Sequence, residues 1–374
     1  MRIYANVTFL ESVGPSFLHY FLEYMYFLVL MRYSKYLILI IYFTLEHFAF
    51  CVQNFMKKMK NLSGVSEIVL RYDSFIIDQW GVLHDGKRTY ANVNKCLSDM
   101  AYSGKKLILL SNSSKRKSSS IKGLINVGIL PELFEDIVTS GELGWKLLKE
   151  RKLQFLPADY SKESLNEKLK VFVIGNGDDD EEYIGTCGCE FVDPSEASLI
   201  LVRGTFSVWK SKYSQAKYKS ASDLMLDIGR ILEDCAKLDL PMLVTNPDFY
   251  RPGSNSPMPG LIARKYLEIH PDAKVQYIGK PYETIYGECL SVLSSKGNPV
   301  DLTRICCIGD SLEHDILGAQ SLGCDSIWIS NGVHCRDLGT EEGSVDVPDE
   351  KLVQLLLQKN PEILPTYIIP SFKS

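Results

Sequence analysis

Residues 74–86 read SFIIDQWGVLHDG, an apolar run that opens onto a carboxylate and a glycine-bearing turn. The run at 74–77 has the length and composition of a strand buried on both faces of a sheet. Asp78 follows directly, and burying an ionised carboxylate is unfavourable unless a cation or hydrogen-bond donors compensate it. This placement indicates a nucleophile or a metal ligand, with an Asp that caps the next turn as the structural alternative.

Short apolar runs of this kind alternate with longer helical patterns from residue 61 onward. The alternation is typical of α/β proteins with a Rossmann-like, doubly wound parallel sheet. Ligands of such sheets bind just past the carboxyl ends of the strands, so the chemistry is expected in the turns there. The predicted strands are residues 74–77, 106–110, 171–174, 198–202, 242–244, 275–278, 305–308 and 326–329.

Polar side chains follow two further predicted strands. Ser111 and Asn112 come after strand 106–110, and serines at 118–120 precede a helical pattern. A hydroxyl, an amide and a helix start suit phosphate, although serines that cap a helix explain the same pattern. Lys280 follows strand 275–278, where a lysine taken alone is most simply a surface residue.

The strand at residues 305–308 also opens onto carboxylates. Asp310 lies two residues after this strand, and Asp315 lies five residues further on. Together with Asp78 they offer the hard oxygen ligands that Mg²⁺ prefers. In contrast, the acidic run at 178–182 lacks the spacing of a metal site and is expected to be a solvated turn.

In this order, the four turns resemble the motif set of the haloacid dehalogenase superfamily, whose members are mostly Mg²⁺-dependent phosphatases. Residues 78–86, 245–248 and 279–281 are similar to the type IIA branch, which includes 4-nitrophenylphosphatase-like and sugar-phosphatase-like enzymes. The resemblance runs from about residue 62 to about residue 356. It implies a Rossmann-like core with an inserted α/β cap domain.

The resemblance also implies a role for each matching residue. Asp78 matches the nucleophile that forms an aspartyl-phosphate, and Ser111 matches the hydroxyl that holds the transferring phosphoryl group. Lys280 matches the cation that offsets the charge of nucleophile and phosphate. Asp310 matches a Mg²⁺ ligand, supported by Asp315. Covalent catalysis of this kind divides one difficult hydrolysis into two displacements.

Trp80 departs from the family pattern. Its backbone carbonyl would supply a further metal contact, but its side chain stands where the phosphatases usually carry a second Asp that transfers protons. An indole cannot do this, and general acid–base help is worth roughly 10²–10⁴-fold. Three interpretations remain open. The substrate has a good leaving group, as an acyl phosphate does; a neighbour, His84 or Asp85, transfers the proton instead; or the protein binds phosphorylated ligands with little turnover. His84 is the better neighbour because imidazole titrates near neutrality, with a structural turn histidine as the alternative.

The spacing of the motifs predicts where the cap lies. The gap of 169 residues between Ser111 and Lys280 is far longer than the 30 residues between Lys280 and Asp310. We therefore expect a core at residues 62–145 and 262–356 and a cap at residues 146–261.

A cap over the site would exclude water and supply specificity. The loop that contains Asn246 and Asp248 is a candidate for this role. With Ser111 and Asn112, these two residues form the predicted substrate-binding set.

Residues 1–55 differ from the rest of the chain. They hold 15 of its 40 aromatic residues and only six charged ones. The apolar stretches at 17–31 and 36–45 fall short of the ~20 residues that cross a bilayer, and Arg32 and Lys35 separate them. We expect a hydrophobic appendage outside the catalytic fold. It is either a weak membrane contact through residues 17–45, a targeting segment, or an extension absent from the mature protein.

Length and composition limit the remaining choices. The 374 residues suffice for two domains, and the net charge of −5 argues against nucleic-acid binding. Ten cysteines are too dilute for a disulfide framework, which favours the cytoplasm, or an organelle lumen if the first residues are a targeting signal. We expect a Mg²⁺-dependent hydrolase of a small phosphorylated metabolite. The alternative is a catalytically silent protein that binds phosphorylated ligands in a regulatory role.

Overall fold

The computed structural model describes residues 59–156, 167–211, 214–251, 254–294 and 300–374. The extension predicted at residues 1–55, including its possible membrane contact, lies outside the described residues. Among the described helices, none combines the length and the apolar character that crossing a membrane requires.

Fourteen strands and nine α-helices make up the described part of the chain. The strands are β1 Lys60–Asn61, β2 Ser74–Asp78, β3 Lys106–Ser111, β4 Asp136–Thr139, β5 Leu169–Gly175, β6 Cys189–Phe191, β7 Leu199–Val202, β8 Ser207–Ser211, β9 Ser214–Lys217, β10 Met242–Val244, β11 Val275–Tyr277, β12 Ile305–Gly309, β13 Asp325–Ile329 and β14 Tyr367–Ile369. The helices are α1 Val93–Tyr102, α2 Lys117–Asn126, α3 Ser140–Glu150, α4 Asp180–Thr186, α5 Ala221–Lys237, α6 Pro259–Ile269, α7 Glu283–Leu293, α8 Leu317–Leu322 and α9 Glu350–Lys359.

The strands form two sheets. The first is fully parallel, with the order β1-β14-β13-β12-β2-β3-β4. The second has the order β11-β10-β7-β5-β8-β9, with β6 beside β5, and only the β8 and β9 pairings are antiparallel. All eight predicted strands are present, so the predicted α/β fold with a parallel sheet is confirmed.

The two sheets share one apolar core. Ile76 and Ile108 of the first sheet belong to the same buried cluster as Val171 and Leu243 of the second. The apolar face of α3, with Leu143 and Leu148, lies in this cluster as well. Burial on both faces explains why the central strands are continuous apolar runs.

The second sheet extends further along the chain than the predicted cap. Residues 259–269 form one continuous helix across the expected boundary at 261, and β11 pairs with β10 of the second sheet. We therefore propose that the cap ends after Tyr277 and not at residue 261.

The acidic run at 178–182 is not a fully solvated turn. Asp180 is completely buried and pairs with the buried guanidinium of Arg203, which also binds Asp179. Asp180 further accepts hydrogen bonds from Ser207 and Trp209. The prediction of a solvated run is confirmed for Asp178, Glu181 and Glu182, which are exposed. It was wrong for Asp180, because Arg203, which compensates the buried charge, is distant in the sequence.

Candidate active site

Three adjacent strands of the first sheet bring the predicted motifs together. β2 lies between β12 and β3, all parallel, with Ile77 opposite Ile308 and Asp78 opposite Leu110. Parallel neighbours end at the same edge, so Asp78 and Ser111 lie where the turn after β12 begins.

Lys280 joins the carboxylates of two of these turns. Its buried Nζ lies 2.5 Å from Oδ1 of Asp78 and 2.7 Å from Oδ1 of Asp315. Asp78, Asp310 and Asp315 each present an oxygen atom within 4.8 Å of the others. Four of the predicted site residues therefore lie in one cluster: Asp78, Lys280, Asp310 and Asp315. Lys280 is not a surface lysine.

The cluster carries more negative than positive groups. Burial, opposed by Lys280 and reinforced by Asp315, raises the pKa of Asp78 to about 7. Burial and the neighbouring Asp78 and Asp315 raise the pKa of Asp310 well above its usual range. The pKa of Lys280 is also raised: burial disfavours its ammonium form, but Asp315 and Asp78 outweigh that effect.

This imbalance fits a divalent cation. Three carboxylates against one ammonium leave uncompensated negative charge when all three are ionised, and carboxylate oxygens are the ligands of hard divalent ions. Asp78, Asp310 and Asp315 are the side chains that would hold such an ion.

Gly81 allows the turn after β2 to approach this cluster. Its φ of +73° lies in the left-handed region, and a Cβ atom built there would be 1.9 Å from Oδ2 of Asp310. Only glycine accommodates both conditions. The turn at Gly81, the residue after Trp80, thereby lies against the Asp310 carboxylate.

The side chain of Trp80 is 43% exposed. Its indole packs on Gly86 and meets the His84 ring edge-on, with 5.4 Å between ring centroids. The role of its backbone carbonyl as a metal contact stays a prediction.

The structure favours the structural alternative for His84. The N–H of Gly86 donates to its Nδ1 at 2.9 Å, and its Nε2 lies 3.0 Å from the side-chain amide of Gln79. Burial lowers the pKa of His84 to about 4, so the ring is neutral. We therefore propose that His84 supports the turn through both ring nitrogens and is not the neighbour that transfers a proton.

Asn112 connects the site to the second sheet. Its Oδ1 accepts a hydrogen bond from the backbone N–H of Lys280 at 2.7 Å, and its Nδ2 donates to Oδ1 of Asp248 at 2.7 Å. Asn246 accepts from the N–H of Asp248 at 2.8 Å. Asn112, Asn246 and Asp248 therefore do lie together, beside Lys280. Ser111 is buried at the end of β3, and its Oγ accepts a 3.3 Å hydrogen bond from the N–H of Ser113.

Two groups near the site were not predicted. The N–H of Val333 donates to Oδ2 of Asp310 at 2.7 Å, and a backbone donor leaves no signal in a sequence. His314 has its Nδ1 3.0 Å from Oγ of Ser311 and its Nε2 3.5 Å from Oδ1 of Asp248. His314 could have been predicted as a site residue, because it lies between Asp310 and Asp315 in the sequence.

Comparisons with known proteins identify two family models that match this chain. Residues 75–190 match the sequence model of a family described as haloacid dehalogenase-like hydrolase, and residues 277–355 match one described as HAD-hydrolase-like. Together the matches span more than half of the chain.

Individual relatives are more distant. The chain is 25% identical to a 4-nitrophenylphosphatase of Schizosaccharomyces pombe over 313 residues, covering 78% of this chain and 95% of that protein. It is 26% identical to chronophin of Bos taurus over 287 residues, covering 74% and 88%. Among solved structures, a haloacid dehalogenase-like hydrolase from Brucella suis 1330 superposes with a TM-score of 0.62 at 24% identity, covering 83% of this chain and 98% of that one. The family matches and the shared fold confirm the resemblance noted in the sequence: this chain belongs to the haloacid dehalogenase-like hydrolases.

Proposed function

We propose that the protein is a Mg²⁺-dependent phosphatase that hydrolyses a small phosphorylated metabolite through a phosphorylated Asp78. The observation that carries the proposal is the buried cluster of Asp78, Asp310 and Asp315 around the single ammonium of Lys280. The names of the similar proteins, 4-nitrophenylphosphatase among them, support a phosphate ester as the substrate.

Each side chain of the cluster would have a separate role in phosphoryl transfer. Asp78 ends a rigid strand, so its carboxylate is held in place to attack phosphorus. Lys280 fixes the orientation of Asp78 and offsets charge as the phosphoryl group approaches. Ser111, at the end of the neighbouring strand, would donate to a phosphoryl oxygen. Held by Asp78, Asp310, Asp315 and the carbonyl of Trp80, Mg²⁺ would neutralise charge on the transferring group.

The second sheet would supply specificity. Asp248 and Asn246 lie on the loop after β10, and Asn112 ties this loop to Lys280. The loop is thus placed to contact the part of the metabolite that leaves. We propose a reducing compartment, the cytoplasm, because the nine cysteines among the described residues are all buried and unpaired.

Phosphate release from a panel of phosphorylated metabolites, with and without Mg²⁺, tests the proposal. Removing the nucleophile by Asp78→Asn is expected to lower the rate by roughly 10⁴-fold or more. Asp99→Asn is the matched control, because Asp99 lies on α1 in an exposed ion pair with Lys95 and its loss leaves the rate unchanged. Equal rates for the wild type and Asp78→Asn would contradict the proposal and favour the ligand-binding alternative.

A further inference from the structure

Trp80 makes the two halves of the proposed reaction unequal. An indole has no proton to give at neutral pH and no basic atom to accept one. Its ring packs against Gly86 and His84, so the position two residues after the nucleophile carries a side chain that transfers no proton.

The neighbouring histidines do not replace the missing group. His84 is engaged through both ring nitrogens, by the N–H of Gly86 and the amide of Gln79. His314 faces Oγ of Ser311 with one nitrogen and the carboxylate of Asp248 with the other. Both nitrogens of each ring therefore already have partners.

The carboxylates close to the site are engaged as well. Asp85 accepts the backbone N–H groups of Lys87 and Arg88, each at 2.8 Å. Asp248 accepts from Asn112. Asp310 accepts from Val333, and Asp315 binds Lys280. Each of these carboxylates therefore already has a hydrogen-bond or ion-pair partner, and Trp80, the side chain two residues after the nucleophile, supplies no base of its own.

The two displacements of the proposed reaction differ in how much they need a side chain that transfers a proton. In the first, an oxygen of Asp78 bonds to phosphorus, the bond from phosphorus to the leaving oxygen breaks, and the electron pair departs on that oxygen. An acidic leaving group carries this charge without a proton. In the second, water bonds to phosphorus, the bond to Asp78 breaks, and the electron pair returns to the carboxylate. Water must lose a proton in this step, which passes to the surrounding solvent when no side chain accepts it, and its pKa of about 15.7 makes that loss difficult without a base.

We propose that phosphorylated Asp78 outlives the step that forms it, so that the protein is a slowly discharging phosphoryl carrier whose turnover is limited by the attack of water. This inference rests on the proposed function and adds that Trp80 is the cause of the delay. Acceptors that arrive already deprotonated, such as carboxylates, would discharge Asp78 faster than water does.

Rapid mixing of the full chain with Mg²⁺ and 4-nitrophenyl phosphate tests the inference. We expect one equivalent of nitrophenolate in a fast burst, followed by a slower steady phase. Acid-quenched protein should carry one phosphoryl group on the peptide that contains Asp78. Across aryl phosphates, kcat/KM should rise with the acidity of the leaving group while kcat stays constant.

Two variants assign the effect to Trp80. Trp80→Asp restores a proton-transferring group and should abolish the burst while raising the steady rate, by up to about 10²–10⁴-fold. Trp80→Phe is the matched control, because it changes the ring without adding such a group and should keep the burst. Both changes fall on a side chain that is partly exposed, which favours folded variants.

The results separate the two proposals. Steady phosphate release without a burst or a phosphorylated peptide would overturn the delay and leave the phosphatase function standing. A burst that persists in Trp80→Asp would overturn the assignment to Trp80. Absence of both nitrophenolate and phosphorylated protein would overturn the phosphatase function and this inference with it.

Discussion

At the residue scale, the site is a place where burial and charge oppose each other. Asp78 and Asp310 both have raised pKa values because burial disfavours their charged forms. A folded protein tolerates this arrangement where a buried cation compensates it, and Lys280 supplies only one such charge. The residues of the site are therefore poorly suited to stability and well suited to binding a cation.

His84 gives a prediction about pH. In the folded protein its pKa is about 4 because the ring is buried, whereas an unfolded histidine titrates near 6.5. As pH falls from about 6.5 to 4, His84 becomes protonated in the unfolded chain but stays neutral in the folded protein. Protonation therefore stabilises the unfolded state, and the free energy of unfolding decreases. The contribution is of order 3 kcal/mol at 1.36 kcal/mol per pKa unit.

Urea unfolding at several pH values measures this contribution. His84→Gln should show a flatter dependence on pH than the wild type over this window. His270→Gln is the control, because His270 pairs with the exposed Asp239 near the surface. Parallel curves for the wild type and His84→Gln would contradict the burial argument.

Individual site residues differed in how far the sequence could predict them. Asp78 and Asp310 were predictable because each follows an apolar run that must be buried. Lys280 could be predicted as a site residue only in combination with these two carboxylates, since a lysine after a strand is otherwise most simply a surface residue. The N–H of Val333 and the hydrogen bonds of His84 could not be predicted, because they depend on how the backbone turns after the strand has ended.

At the element scale, the turn after β2 depends on Gly81. Replacing Gly81 by alanine imposes a strain of roughly 1–2 kcal/mol at its positive φ and directs a methyl group into the Asp310 carboxylate. We expect Mg²⁺ affinity to fall by about 10–100-fold, as when the support of a metal ligand is lost. Calorimetric titration with Mg²⁺ measures the change.

Gly104→Ala is a matched control for this prediction. Gly104 has a φ of +75°, close to that of Gly81, but a Cβ atom there would have no heavy atom within 4 Å. Gly104→Ala should lose only the stability that a positive φ costs an alanine, roughly 1–2 kcal/mol, with unchanged Mg²⁺ affinity. Equal affinities in the two variants would show that Gly81 matters only for its backbone conformation.

Elements were predictable where burial shaped the sequence. The central strands were evident as continuous apolar runs. The edge strand β9, Ser214–Lys217, is mostly polar, and β1 spans two residues, so neither carries a pattern to detect. The boundary that we propose for the cap differs from the predicted one because helix α6 packs with the second sheet, a tertiary contact that motif spacing does not encode.

At the scale of the whole molecule, metal binding should increase the free energy of unfolding. An ion that binds only the folded state stabilises it by about 2.7 kcal/mol at 100 times its Kd. Asp310→Asn should be at least as stable as the wild type without Mg²⁺, because it removes a buried charge, but should gain nothing when Mg²⁺ is added.

Thermal unfolding with increasing Mg²⁺ measures both effects. Asp234→Asn serves as the control, since Asp234 lies exposed on α5 in a surface ion pair with Lys237. A wild-type melting temperature that does not respond to Mg²⁺ would contradict the assignment of a metal site. A response of Asp310→Asn equal to that of the wild type would remove Asp310 from that site.

The pairing of β2 with β12 bears on how the protein is synthesised. These neighbours are about 230 positions apart in the chain, so a ribosome must deliver most of the polypeptide before β2 gains its second partner. Until then β2 exposes an unsatisfied edge and two apolar faces, a template for aggregation. Chains that terminate before residue 305 should accumulate as insoluble material or on chaperones, and not as weakly active fragments.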